Sequence, residues 1–311
     1  MRNAPKRLLT LQMHLNLMDV YILKNTVDSL GFLRPEDPQP EVNHNFWIHY
    51  WPVLVRRDRR WYKTGIPKGK KLTRFIRKGI PASFRSTIWL QKCPKISDEK
   101  HPVGNDVIDE IRRDLSRTFP DNSIISSQIG KNALGWILFT VAEHFPEIGY
   151  CQGFNYIAAL FYIITANKNT AAQIMIHNIN LRKEYYTRDM SGIRKDVIVL
   201  YRLLRDRGIF PRSLLRLMEP DFQMMVSKWF VCWYLETLPM ESVLRIWDCL
   251  FNEGDSILFR IAIVLLEKSA PALLKCQGMA DIMAFIHDIG SLPVAVECHE
   301  LLKVSSFTRN I

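Results

Sequence analysis

The segment Asp106-Val107-Ile108-Asp109-Glu110-Ile111-Arg112-Arg113-Asp114-Leu115-Ser116-Arg117-Thr118-Phe119 decides the fold class. Ile108, Ile111, Leu115 and Phe119 recur at i, i+3, i+7 and i+11, which gathers them on one face of an α-helix. Asp106 is positioned to cap the start, Asp109 and Glu110 suit the electropositive first turn, and Pro120 ends the run. At about 100° per residue, Arg117 falls opposite the Ile108/Leu115 stripe and faces away from the core.

The same period recurs toward the C-terminus. Helices are expected over Ala133–Glu143, Asn155–Ala166, Thr170–Ile179, Lys195–Arg207, Arg212–Leu217, Lys228–Leu235, Glu241–Phe251 and Asp255–Lys268. Pro146, Gly149, Gly192, Gly208, Pro211, Pro220, Pro239 and Gly254 mark the breaks between them. Alternating strand patterns are not evident, so the expectation is an all-α chain of moderate helices joined by short loops. Toward the N-terminus, Pro35-Glu36-Asp37-Pro38-Gln39-Pro40 separates a short helix candidate from a Trp-rich stretch, Phe46 to Trp61. Gly65-Ile66-Pro67-Lys68-Gly69-Lys70-Lys71 is a second break, and regular helical patterning resumes at Leu72. The expected division is an N-terminal extension over 1–70 and a helical domain over 71–311.

Composition narrows the class. Of 311 residues, 48% are hydrophobic, enough for a substantial core and against disorder. The longest uncharged apolar run, Tyr156 to Ala166, is far short of the roughly 20 residues of a membrane span. Arg2, Lys6 and Arg7 precede Leu8-Leu9-Thr10-Leu11, but Gln12, His14 and Asn16 interrupt that run and no small-residue cleavage site follows. The six cysteines form no C-x-x-C pair and sit largely in apolar helical patterns, which points to reduced thiols in a cytoplasmic protein. The eight histidines lack metal-ligand spacing. No Walker segment G-x-x-x-x-G-K-[ST] occurs, so the chain is not expected to bind GTP itself.

The net charge of +11 is local. Residues 1–100 hold 20 Lys/Arg against 8 Asp/Glu, whereas residues 101–311 are nearly balanced. Arg56 to Lys78 alone holds 11 basic residues and one acid, Asp58. Such a strip is either a solvated, partly flexible connector or a contact for an anionic surface. Of the anionic partners, a membrane is expected and nucleic acid is not.

A second segment bears on chemistry: Tyr150-Cys151-Gln152-Gly153-Phe154-Asn155. Gln152 lies in a glycine-flanked turn before an apolar helix, where backbone and side chain can approach a ligand closely. Asp114, at i−3 from Arg117, is within reach of its guanidinium. An arginine and a carboxamide are the groups that a slow phosphoryl hydrolysis needs. The first is a rigid, always charged fork for the phosphoryl oxygens, and the second orients the attacking water. Spacing alone leaves two readings: a surface ion pair beside an ordinary turn, or a catalytic pair.

Four motifs in order weigh on that choice. Gly79-Ile80-Pro81 is followed by Arg85-Ser86-Thr87-Ile88-Trp89, then Ile111-x-x-Asp114-x-x-Arg117, then Tyr150-x-Gln152-Gly153. Trp229-Phe230, Leu238-Pro239 and Leu244-Arg245-Ile246-Trp247-Asp248-Cys249-Leu250-Phe251 come next, with Gly254-Asp255 in step. Together they resemble the TBC domain, the Rab GTPase-activating family, over about residues 75–290. The stretches Gly31–Asp37 and Arg56–Trp61 are similar to the N-terminal flank of one branch of it. One departure is Phe154, where the family often has Met; both are apolar.

The resemblance implies a two-lobed, multi-helix fold whose groove receives a Rab in its GTP-bound form. It implies that Arg117 and Gln152 are an arginine finger and a glutamine finger acting in trans, with Asp114 orienting Arg117. Tyr150, Gly153 and Asn155 would shape the turn that aims Gln152. Mg²⁺ and GTP would come with the partner, so no cofactor of the chain's own is expected. The protein would be an activator of a partner GTPase in membrane trafficking, not a nucleotide hydrolase, with a peripheral association to endomembranes. The rival reading is a non-catalytic Rab-binding scaffold of the same fold.

Other residues are weighed separately. Arg85 and Trp89, one turn apart, either support the partner site or pack together within the fold. Arg245 and Asp248 are expected to pair at i, i+3, and Trp229 and Trp233 are expected in the core.

Overall fold

The computed structural model describes residues 30–32, 51–97 and 100–307. The N-terminal helix candidate, the Pro35–Pro40 break and most of the Gly31–Asp37 stretch lie outside them. Among the described residues there are fourteen helices of seven or more residues, α1 to α14 in chain order, and no strand. They are α1 (Trp51–Thr64), α2 (Gly69–Ile76), α3 (Ala82–Leu90), α4 (Asn105–Arg117), α5 (Gln128–His144), α6 (Phe154–Thr165) and α7 (Lys168–Leu181). After these come α8 (Ser191–Asp206), α9 (Arg212–Met218), α10 (Phe222–Val231), α11 (Met240–Glu253), α12 (Ser256–Leu273), α13 (Met279–His287) and α14 (Cys298–Phe307). The all-α expectation therefore holds.

Two groups of helices form the lobes. In the first, α4 packs on α5, and α5, α6 and α7 pack on one another; in the second, α11, α12 and α14 do the same. Helix α6 is apolar on nearly every side, so it sits where every side is covered: Phe154, Ile157, Ala158, Ala159, Leu160 and Phe161 are all buried. Helix α3 spans the groups, touching α6 and α7 on one side and α11 on the other. At the junction lies an aromatic cluster of Trp89, Phe161, Trp233, Trp247 and Phe251, in which Phe161 and Trp247 have ring centroids 5.0 Å apart. Trp247 Nε1 donates to the Trp233 carbonyl at 2.9 Å, so an indole N–H that would be orphaned in an apolar core is satisfied. Trp229 and Trp233 are core residues, 2% and 0% exposed, as expected.

Several boundaries differ from the sequence reading, each for a local reason. Helix α4 ends at Arg117 rather than Phe119: Thr118 is extended and Phe119 has φ +42°. Phe119 precedes Pro120, whose ring disfavours the right-handed helical region for its neighbour. The N-cap position of α4 is Gly104, and Asp106 lies in the first turn. Helix α10 runs over 222–231, not Lys228–Leu235, because Trp233 and Tyr234 turn the chain at φ +47° and +68°. Gly192, read as a break, is the second residue of α8, pressed against Tyr185 and Glu184 where a Cβ would have 2.8–2.9 Å.

The basic strip is largely helical. Most of it is carried by α1 and α2, with only residues 65–68 between them, and the expected boundary between 70 and 71 falls inside α2. Trp61 of α1 is 1% exposed, donates to the Gly79 carbonyl at 3.0 Å, and meets Phe75 and Phe84 at centroid distances of 5.4 and 5.5 Å.

Candidate functional site

Helix α4 delivers Arg117 from its last turn with 53% of the side chain exposed, while Asp114, one turn earlier on the inner side, keeps 7%. The Arg117 Nη2 and Asp114 Oδ1 atoms are 2.6 Å apart. The other oxygen, Asp114 Oδ2, accepts the Tyr150 hydroxyl at 2.6 Å. One carboxylate thus joins the helix that carries Arg117 to the turn that carries Gln152. The guanidinium pKa is raised, first by the hydrogen bond to Asp114. Burial, followed by the Asp114 hydrogen bond, pushes the Tyr150 phenol far above its ordinary range, so it stays a donor.

A second tie lies just behind the first. Thr118 Oγ1 donates to the Asp114 carbonyl at 2.6 Å and accepts from Asn155 Nδ2 at 2.8 Å. Asn155 Oδ1 in turn accepts the Gly153 N–H at 3.2 Å. Thr118 and Asn155 are 1% and 0% exposed, so this chain of bonds is shielded from competing water. The motif reading missed Thr118. Its one signal was position, a hydroxyl residue directly after the arginine that ends an apolar stripe.

The turn is shaped by two glycines at positive φ, Gly149 at +62° and Gly153 at +105°. A Cβ on Gly153 would stand 2.6 Å from Cys232 Sγ, so neither the conformation nor the space admits a side chain. Gln152, between Cys151 and Gly153, is exposed. Phe154 is 1% exposed and packs edge-on to Tyr150 and Tyr186, at 6.2 and 4.7 Å. Tyr156, which the motifs did not flag, closes the far side: its hydroxyl reaches the Arg117 carbonyl at 3.5 Å and its ring meets Phe119 at 5.1 Å. The arrangement holds a cation and a carboxamide on adjoining, solvent-facing ledges with a hydrogen-bonded base.

Arg85 and Trp89 belong to a different network. Arg85 is 3% exposed, with Nε 3.2 Å from Asp248 Oδ1, and Trp89 Nε1 donates to the same oxygen at 3.0 Å. The Ile80 N–H adds a bond to Asp248 Oδ2 at 3.3 Å. Asp248 thus has Arg85 of α3 as a close ion-pair partner, and the i−3 residue Arg245 adds its positive field. Arg245 Nη2 donates to the Arg77 carbonyl at 2.9 Å. Burial raises the Asp248 pKa and Arg85 opposes the rise. All six cysteines are free.

The family model described as the Rab-GTPase-TBC domain matches residues 82–274. Growth hormone-regulated TBC protein 6 of Caenorhabditis elegans is 42% identical, over 91% of this chain and 88% of that protein. Growth hormone-regulated TBC protein 1 of Homo sapiens is 31% identical, over 89% and 88%. The structure of the Chlamydomonas flagellar RabGAP TBC domain superposes with a TM-score of 0.71 at 21% identity, covering 92% of this chain and all of that one. The N-terminal flank thus pointed to the branch that these two relatives represent, and the chain belongs to the Rab-GTPase-TBC domain family.

Proposed function

We propose that this protein accelerates GTP hydrolysis on a GTP-bound Rab GTPase with Arg117 as an arginine finger and Gln152 as a glutamine finger. The observation that carries the reading is the shared Asp114 carboxylate, 2.6 Å from both Arg117 and Tyr150, which couples the two finger segments. Phosphoryl transfer asks a protein for positioning and charge stabilisation more than for covalent chemistry. Arg117 supplies charge to the phosphoryl oxygens through the donors that Asp114 leaves uncommitted. The Gln152 carbonyl accepts from the attacking water while its NH₂ donates to a phosphate oxygen or the partner's switch region. Mg²⁺ and GTP arrive with the Rab. The preorganised tie keeps the two side chains from spending the partner's binding energy on ordering. The basic strip on α1 and α2 adds a peripheral contact with anionic endomembrane, where such a partner resides. Among the described residues no helix is long and apolar enough to cross a membrane.

Single-turnover GTP hydrolysis across a broad panel of purified Rab proteins tests the reading. Stimulation of one or a few Rabs by the wild type, lost in both Arg117→Ala and Gln152→Ala, is the expected result. Rab binding with no stimulation by the folded wild type would leave the scaffold reading in its place.

A further inference from the structure

The residue directly after Arg117 is a threonine only 1% exposed, and a hydroxyl buried that deeply is held there by its hydrogen bonds. In a continuing helix the Asp114 carbonyl would accept from the backbone N–H of residue 118. Helix α4 stops at Arg117 instead, and Thr118 is extended, at φ −83° and ψ 109°. Its hydroxyl takes the place of that N–H, 2.6 Å from the carbonyl. The hydroxyl proton is committed there, so Oγ1 can act toward Asn155 only as an acceptor. Asn155 must therefore present Nδ2 to it, at 2.8 Å, and Oδ1 to the Gly153 N–H, at 3.2 Å. A flipped amide would set oxygen against oxygen at one end and donor against donor at the other. The order of donors and acceptors is thus fixed from Asp114 through to Gly153.

The Gly153 N–H belongs to the peptide unit that begins at the Cα of Gln152. Planarity makes that Cα, the Gln152 carbonyl and the Gly153 N–H one rigid plate, so a bond to the N–H aims the atom from which the Gln152 side chain departs. Cys151 Sγ approaches the carbonyl of the same plate at 3.7 Å. At the other end of the relay, Thr118 is the chain neighbour of Arg117. We propose that Thr118 is a positioning residue that sets the direction of Gln152 from the end of the helix carrying Arg117. The proposal rests on the finger reading and deepens it. Asp114 and Tyr150 join the two finger segments through side chains, whereas the buried Thr118–Asn155 relay ends on the peptide unit of Gln152 itself.

The test is single-turnover GTP hydrolysis on a responsive Rab, titrated with the full chain to separate the maximal rate from the half-saturating concentration. Thr118→Val keeps the shape and removes the hydroxyl; Thr118→Ser keeps the hydroxyl. Both are assayed well below their measured melting temperatures. The expected result is a maximal rate about tenfold or more lower in Thr118→Val, at an unchanged half-saturating concentration, and a rate near wild type in Thr118→Ser. Because Thr118 acts through Gln152, Thr118→Val should lower the residual stimulation of a Gln152→Ala background by less than about twofold. Amide hydrogen exchange of Gly153, followed by NMR in the free chain, should be faster in Thr118→Val and unchanged in Thr118→Ser. A wild-type rate in Thr118→Val, or an equal loss with and without Gln152, would overturn the proposal. A purely structural Thr118 would lower the melting temperature of Thr118→Val and leave its maximal rate unmoved, which overturns the proposal too. If the wild type stimulates no Rab, the finger reading fails and Gly153 exchange decides alone. Unchanged protection then overturns the relay, and lost protection keeps it as the tie that sets the Gln152 turn.

Discussion

Two arginine–aspartate networks in this molecule use nearly the same parts. In one, Asp248 accepts from Arg85 and the indole N–H of Trp89; in the other, Asp114 holds Arg117 and the hydroxyl of Tyr150. What separates them is water. Arg85 and Asp248 keep 4% and 0% of their side-chain exposure, whereas Arg117 keeps 53% above an Asp114 with 7%. A guanidinium with every side occupied by protein can only hold helices together. One seated on a buried carboxylate with half its surface in solvent is fixed in direction yet still able to meet an incoming phosphate. On the proposed reading, the motif residue type does not state a job; the exposure of the arginine does.

The comparison breaks most sharply at the arginines. Arg117→Ala is expected to cut the stimulated hydrolysis rate by about 10³-fold or more while Rab affinity and the melting temperature stay near wild type. A mutant with wild-type stimulation would erase the functional half of the contrast. Asp248→Ala should do the reverse, lowering unfolding free energy by about 3–5 kcal/mol because the buried Arg85 loses its buried carboxylate partner, for which Glu241, 3.8 Å away and 42% exposed, is a poor substitute. Denaturant titration measures it, and a loss below 1 kcal/mol would show that the pair is not structural.

Smaller changes sharpen the picture. Asp114→Asn keeps the shape but loses the charge that aligns Arg117, and a rate loss of about 10²-fold is expected from misorientation. If the rate is instead unchanged, Arg117 finds its place on the partner without Asp114. Tyr150→Phe removes one hydroxyl and should cost about 1 kcal/mol of stability, with a rate loss smaller than that of Asp114→Asn. Since the Tyr150 pKa is raised in the folded state, its bond to Asp114 is fully present below pH 10.0, the ordinary phenol value, and weakens only as pH rises toward the folded value. Wild-type stability should therefore fall more steeply than that of Tyr150→Phe above pH 10.0, and parallel curves would count against the bond.

Much of this was legible in the chain. The 3.6-residue apolar period located α4 and turned Arg117 outward, since both follow from local geometry. The flanking glycines marked the Gln152 turn for the same reason, and the size and apolarity of the two indoles placed Trp229 and Trp233 in the core. The order of the motifs carried the family. Helix ends were less legible: Thr118 and Phe119 leave the helix because a proline follows and because a buried asparagine 37 positions on donates to the Thr118 hydroxyl oxygen.

What only the tertiary structure decided is partnership at a distance. Asp248 pairs with Arg85, 163 positions away, because the packing of α3 against α11 brings that guanidinium to the buried carboxylate. Thr118 and Asn155 meet because α4 and α6 are neighbours, and His299 joins Arg56 and Lys78 around one cavity although the chain separates them by more than 200 positions. The sequence by itself determines which faces are apolar and which turns are possible, since those depend on a few adjacent residues. Which cation meets which anion depends on how the helices stack, and no local spacing contains that.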